Sequence, residues 1–220
     1  MNERKMFDTS RPLSVLVCLI AAWTFSGAAQ AAPEDFPRPA SIEPGVAFWK
    51  RIYSEVDTGH GLLHDSRNLA VVYEVVDQPD NLSRRGRDRW MKTKREHYKA
   101  ILGRLAGGKR SGLSAEEARV LGLFPKGVSN ATLKRATGQI RFQLGQADRF
   151  REGVVRMGRW EPHVTRVLAR EGLPSELVAL PHVESSYNPA ARSHVGASGI
   201  WQFTRSTGRL FMQVDHVVDE

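Results

Sequence analysis

The chain has 220 residues, 41% of them hydrophobic and 25% charged, the composition of one or two small globular domains. Its formal net charge of +8 and pI of about 10.0 call for an anionic partner, whether nucleic acid, acidic lipid or an acidic polymer such as cell wall. The single cysteine, Cys18, excludes a disulfide framework and any cysteine cluster for metal.

The first elements concern targeting. Arg4, Lys5 and Arg11 precede an apolar run from Leu13 to Phe25, and Ala29-Gln30-Ala31 follows as a small-x-small cleavage site. The run is short for a membrane span, so residues 1–31 read as a secretory signal peptide cleaved after Ala31. Cleavage removes three basic and two acidic residues, which lowers the net charge by one to +7. It also removes Cys18 and with it any thiol nucleophile. Leu16-Val17 before that cysteine are not the small residues of a lipid-attachment site. Export to the periplasm sets nucleic acid aside as a partner. What remains is the cell wall, with peripheral association to wall or membrane.

Residues 32–45 hold Pro33, Pro37, Pro39 and Pro44 and read as an extended linker. Val46 to Val56 has helical apolar spacing. Leu69 to Val76 is rich in β-branched residues and is the one strand expected. Arg84 to Leu105 reads as a long basic amphipathic helix closed by Gly107-Gly108. Its run Arg84-Arg85-Gly86-Arg87 is a solvated helix start rather than a nucleic-acid arm. Ser114 and Glu117 form a capping-box signature, and Phe124 to Ser129 a loop. Thr137 to Met157 is expected to be helical, then Glu161 to Glu171 as a second helix with Pro162 in its first turn, closed by Gly172.

The chemistry gathers after Leu173. Leu177 to Pro181 is apolar all round and reads as a buried helix. Glu184 lies on one stripe with Leu177 and Leu180, so it is expected to be partly desolvated, with the pKa raised. A carboxyl kept protonated suits glycosidic cleavage, although a lone buried Glu is more often a paired structural residue. Other constellations fail. His182-x-Glu184 lacks the cysteines of a zinc deaminase. His60, His64, His182 and His194 have no metal-ligand spacing. Gly196-Ala197-Ser198-Gly199 is no nucleophile elbow. No metal and no cofactor is expected.

Three ordered motifs, Gly172-Leu173-Pro174-Ser175-Glu176-Leu177, Pro181-His182-Val183-Glu184-Ser185-Ser186-Tyr187-Asn188-Pro189 and Val195-Gly196-Ala197-Ser198-Gly199-Ile200-Trp201-Gln202-Phe203, closely resemble the family 1 soluble-type lytic transglycosylase (SLT) domain, in its membrane-bound lytic murein transglycosylase D branch. The resemblance runs from about Leu173 to the end, and more weakly from Pro44 to Arg170. It implies a mostly α fold: an α+β, lysozyme-like catalytic domain over 146–220, of which the chain holds the N-terminal part, preceded by a mainly helical extension over 46–145 with a short strand. It implies Glu184 as catalytic acid and Ser185 as its orienting partner. Gly199, Ile200, Trp201 and Gln202 would line the saccharide groove, Gly199 by close backbone approach. Trp201 fits a sugar face and core packing equally, and Gln202 offers a donor and an acceptor. Thr204-Arg205 departs from the family's usual Met-Pro.

The implied reaction needs one carboxyl. Glu184 protonates the oxygen between N-acetylmuramic acid (MurNAc) and N-acetylglucosamine (GlcNAc), then takes the proton of the muramoyl C6 hydroxyl as that oxygen closes on C1. Carboxylate-pair glycosidases need a second acid, and the next after Glu184 are only Asp215, Asp219 and Glu220. The alternatives are a muramidase-type hydrolase and a non-catalytic peptidoglycan-binding module. Composition and motifs say nothing of the oligomeric state.

Overall fold

The computed structural model describes residues 36–213. The expected signal peptide, its cleavage site and the start of the 32–45 linker lie outside these residues, as do Asp215, Asp219 and Glu220. The described chain is mostly helical with one small sheet, the expected class.

The linker is shorter than its prolines imply. Ala40–Ile42 makes one 3-10 turn, and helix α1 begins at Glu43 and runs to Ser54. Pro44 fits the first turn, where its missing N–H leaves no bond unmade. Phe48 and Ile52, four residues apart, are the buried stripe of α1. They join Val56 and Leu62 in a small core.

Three antiparallel strands follow, not one: β1 (His60–Asp65), β2 (Val72–Asp77) and, much later, β3 (Ile140–Leu144), in the order β2-β1-β3. The expected strand at 69–76 is β2, shifted toward its C-terminal end. β1 is central and packed on both faces. Leu62 enters the α1 core while its neighbour Leu63 points into a larger core on the other side. Both are fully buried, each contributing about 1.5–3 kcal/mol relative to exposure.

The larger core is closed by α2 (Arg84–Ala106), α3 (Ala115–Gly122) and α4 (Asn130–Ala136). α2 starts where Ser83 Oγ accepts the Gly86 N–H, and buries Tyr98, Ile101, Leu102 and Leu105. The Ser114–Glu117 capping box forms reciprocally. The Glu117 carboxylate, 3% exposed, also meets Arg104 at 2.6 Å and Lys109 at 2.7 Å. The Lys109 and Arg104 hydrogen bonds pull its pKa down to about 2. α4 was not expected; Ser129 caps it, and Leu133 and Ala136 are its buried face.

The expected helix over 137–157 is corrected in its first half. Ile140, Phe142 and Leu144 alternate as a strand that pairs with β1, between Gly138 and Gly145. Gly145 then turns the chain against α1. Its N–H donates to His60 O (2.9 Å), Gln146 N–H to Ile52 O (3.0 Å) and Ala147 N–H to Val56 O (2.9 Å). The Asp148 carboxylate accepts the Thr58 N–H at 3.0 Å and the Thr58 hydroxyl. A Cβ at Gly145 would lie 2.2 Å from Asp57 O, so only glycine fits this corner.

From there one helix, α5, runs unbroken from Ala147 to Arg170. Two helices with Pro162 opening the second are not what forms. Pro162 lies inside, where its ring faces the carbonyl of Gly158, a residue with no side chain to add crowding. At about 1.5 Å per residue, α5 is long enough to carry the sheet-bearing half and the C-terminal segment on one rod. Among the described residues no helix is long and apolar enough to cross a membrane.

Candidate functional site

After α5, Gly172 (φ +66°) reverses the chain, a 3-10 turn covers Ser175–Ala179, and α6 spans only Leu180–Ser185. The expectation of a buried helix at 177–181 fails. Leu180 is 44% exposed, Val183 63%, and Glu184 is exposed with them. Leu180 and Glu184 do share a stripe, but that stripe faces away from α5. The inward face of α6 is instead Pro181 and His182. Six residues cannot bury both faces against one neighbouring helix, and the face that carries Leu180, Val183 and Glu184 is the outer one.

His182 is the peg that seats α6. Its ring lies between Phe150 (4.7 Å between centroids) and Tyr187 (4.8 Å, near perpendicular), with Nε2 3.1 Å from Met157 Sδ. Nδ1 is buried without a hydrogen-bond partner among the described residues. Burial, and then the nearby Arg156 charge, lower the pKa of His182, so the imidazole is held neutral. Gly153 makes the close approach feasible, since a Cβ there would sit 3.1 Å from His182 Nδ1 and 3.2 Å from Ser186.

The chain leaves α6 through two consecutive left-handed residues, Ser186 (φ 52°) and Tyr187 (φ 56°), a strained reversal for side chains other than glycine. Three contacts hold it. Arg156 Nε donates to Ser186 O at 2.8 Å. The fully buried Tyr187 donates its hydroxyl to Val178 O. The Ser185 hydroxyl donates to Ile200 O at 2.8 Å while accepting the Asn188 N–H at 3.3 Å. That Ser185–Ile200 bond joins the two expected site segments, the Glu184-Ser185 pair and Gly199-Ile200-Trp201-Gln202.

The second segment is a tight turn. Gly199 (φ +77°) donates its N–H to Ala191 O at 3.0 Å. Its Cβ position is open space, so the glycine serves the positive φ and not the expected close approach. Gln202 is itself left-handed (φ 50°), and its amide nitrogen donates to Gly199 O (2.9 Å) and Ala191 O (3.3 Å). Its donors are therefore spent on the loop. Trp201 and Ile200, both half-buried, line a cavity of about 290 Å³ with Arg192, Phe203 and Met212; Glu184 is not among its lining residues. Thr204 caps the next helix, α7 (Arg205–Phe211), by accepting the Thr207 N–H, so the departure from Met-Pro still starts a helix.

Sequence reasoning missed one neighbour of Glu184. The phenol of Tyr53, on α1, has its pKa raised by burial and then by the Glu184 charge, which places the two groups within electrostatic reach. Tyr53 heads a file of rings: Trp49 stacks on it at 6.0 Å, it meets Phe150 at 5.7 Å, and Phe150 meets His182. Trp49 and Tyr53 are four residues apart beside the buried Phe48 and Ile52. A helix with aromatics both on and next to its core stripe was the available signal. Among the described residues no group of three or more His, Cys, Asp or Glu side chains could hold a metal ion.

Comparison with known proteins places residues 166–219 in a match to the family model of the Transglycosylase SLT domain. Membrane-bound lytic murein transglycosylase D of Escherichia coli K12 is 50% identical to the chain over 42 residues, which are 19% of this chain and 9% of that protein. A putative tributyltin chloride resistance protein of Alteromonas sp. strain M-1 is 35% identical over 60 residues, 26% of this chain and 29% of its own length. The chain thus spans less than a third of the curated relatives it matches. No solved structure matches it.

Proposed function

We propose that the protein is a lytic transglycosylase of peptidoglycan, cleaving the MurNAc-β-1,4-GlcNAc bond during cell-wall remodelling in the periplasm. The observation that carries this is the Ser185–Ile200 hydrogen bond. It fixes the Glu184-Ser185 pair against the Gly199–Gln202 turn, inside the segment similar to the SLT domain.

Glu184 is the acid and the base. It stands on the outer face of α6, where a polymer too bulky for a closed pocket has access to the carboxyl. In the first half-reaction its proton passes to the bridging oxygen as the bond from C1 of MurNAc to that oxygen breaks, leaving positive charge at C1. In the second, the Glu184 carboxylate accepts the proton of the C6 hydroxyl while the C6 oxygen bonds to C1. The strand gains a 1,6-anhydro-MurNAc end, the acid is restored, and no water is consumed. Ser185 holds the end of α6 at fixed register. Ile200 and Trp201 give the neighbouring wall an apolar surface for sugar rings, and Gly199 and Gln202 shape the turn that presents them.

The test is digestion of purified sacculi. The parent chain should release anhydro-muropeptides, lighter by one water than hydrolytic products. Glu184→Gln, which keeps shape and loses the proton, should slow release by about 10²- to 10⁴-fold. Water-containing ends would make the protein a muramidase. Sedimentation with sacculi, without any release, would make it a binding module. Near-normal release by Glu184→Gln would overturn the assignment of that residue.

A further inference from the structure

One pair of neighbouring aromatic rings on α1 is stacked and partly open to water without serving the core. On α1, Trp49 and Tyr53 are one helical turn apart, their rings lying within 30° of parallel and 6.0 Å between centroids. Phe48 and Ile52 already fill the core beneath α1, so the pair is not needed there. Trp49 leaves 41% of its surface in water, and Tyr53 is half-buried. The slab is braced from behind. Phe48 meets the Trp49 indole edge-on at 5.5 Å, and Phe150 of α5 backs Tyr53. The hydrogen-bonded corner from Gly145 to Asp148 fixes α1 against α5, so the slab and α6 are held on the same rod.

We infer that α1 supplies a glycan subsite: the Trp49–Tyr53 slab stacks against a pyranose of the strand next to the bond that Glu184 cleaves. The inference rests on the function proposed above, because Glu184 marks where the strand lies. Continuity carries it: Tyr53 meets Phe150 at 5.7 Å, Phe150 meets His182 at 4.7 Å two residues before Glu184 on α6, and Trp49 extends the same flat surface one turn outward. The chemistry agrees. A β-linked aminosugar presents a face of C–H groups rimmed by hydroxyls and an acetamide, and it matches an aromatic plane that is apolar at its centre and carries a polar group at its edge. A neutral face also needs no countercharge, unlike the peptide stems. Tyr53, in contact with the strand, is a phenol whose pKa burial raises further, so it stays protonated and positions without competing as a base.

The experiment measures binding of peptide-free glycan strands to the full-length chain carrying Glu184→Gln, with and without Trp49→Ala or Trp49→Phe. Sacculus lysis by the Glu184 parent and thermal melting are followed in parallel. Losing a central aromatic anchor costs on the order of tenfold in affinity. The expected result is therefore a roughly tenfold weaker Kd for Trp49→Ala, near-parent binding for Trp49→Phe and a melting temperature unchanged in both. Equal affinity of Trp49→Ala and the Glu184→Gln parent would overturn the subsite, as would a loss shared equally by Trp49→Phe. The two ideas separate cleanly. Lysis by the parent with Trp49-indifferent binding leaves the proposed function standing and removes the subsite. Trp49-dependent binding without lysis does the reverse.

Discussion

Removing the Ser185 hydroxyl is the sharpest probe of how this site is built. In Ser185→Ala the 2.8 Å bond to Ile200 O disappears, and the Asn188 N–H loses one of its two acceptors. Ile200 O has no other described partner, whereas the Asn188 N–H still reaches Ser185 O at 3.2 Å; both lie in half-buried residues. A typical hydrogen bond is worth about 1 kcal/mol net, and a stranded buried partner costs about 1–3 kcal/mol. Because water reaches a half-buried carbonyl, the lower end applies, giving about 1–2 kcal/mol for the site as a whole. For a domain of this size that is a fall in Tm of roughly 3–6 °C. The effect on function should be larger than the effect on stability. Glu184 sits next to the lost tether at the end of a six-residue helix, and a misplacement of about 1 Å can cost about 10²-fold in rate. Ser185→Ala should therefore remain folded at 25 °C, keep its helical circular dichroism, and lyse sacculi at least tenfold more slowly than the parent. Differential scanning fluorimetry and a turbidity assay on the same preparation measure both. An unchanged Tm with unchanged lysis would mean that the bond neither stabilises the two motifs nor aligns the acid, and the argument for the site would fall with it.

Two further predictions concern the frame. Gly145→Ala drives a methyl into the Asp57 and Val56 carbonyls, at 2.2 and 2.3 Å, so it should cost at least about 3 kcal/mol and lower soluble yield, read by chemical denaturation. His182, held neutral by burial, adds a pH term of known sign. Above its ordinary 6.5 both folded and unfolded chains are uncharged there and nothing is lost. As pH falls below 6.5 the unfolded chain takes the proton first, so stability drops progressively. Tm measured from about pH 7.5 down to about pH 5 should fall more steeply in the parent than in His182→Phe, which keeps a ring between Phe150 and Tyr187. Parallel curves would contradict a buried neutral imidazole.

The sequence spoke clearly where local chemistry decides structure. Ser114 and Glu117, three positions apart at the helix start, form the expected box, and the spacing within α1 and α2 matches their buried faces. It was silent where partners come from far away. β1 reads His-Gly-Leu-Leu-His-Asp, with no alternation, because a central strand packed on both sides needs none. β3 was hidden in a helical reading although Ile140, Phe142 and Leu144 alternate between two glycines. Pro162 suggested a helix start, since nothing local reveals that the rod continues. At the site, the motifs located Glu184, Ser185 and the Gly199 turn, and the stripe through Leu180 and Glu184 is real. Which way that stripe faces depends on His182 winning the groove beside Gly153, a tertiary competition that spacing along six residues cannot decide. Tyr53 was out of reach for the same reason, being more than a hundred residues from the acid whose charge it feels.

The corner at Gly145–Asp148 has a consequence for how the molecule comes into being. Thr58 waits for Asp148, a partner 90 residues later in the chain, and the carbonyls of Ile52 and Val56 wait for Gln146 and Ala147. A chain that emerges N-terminus first thus has β1 to cover the apolar stripe of α1 early, but leaves the Trp49–Tyr53 side of that helix without α5 for much longer. β1 meanwhile has only β2 to pair with and offers its other edge to any passing strand. Closing so long a loop is slow relative to local helix formation. The interval between the appearance of Ile52 and that of Ala147 is therefore when this protein is most open to aggregation and most in need of a chaperone's hold.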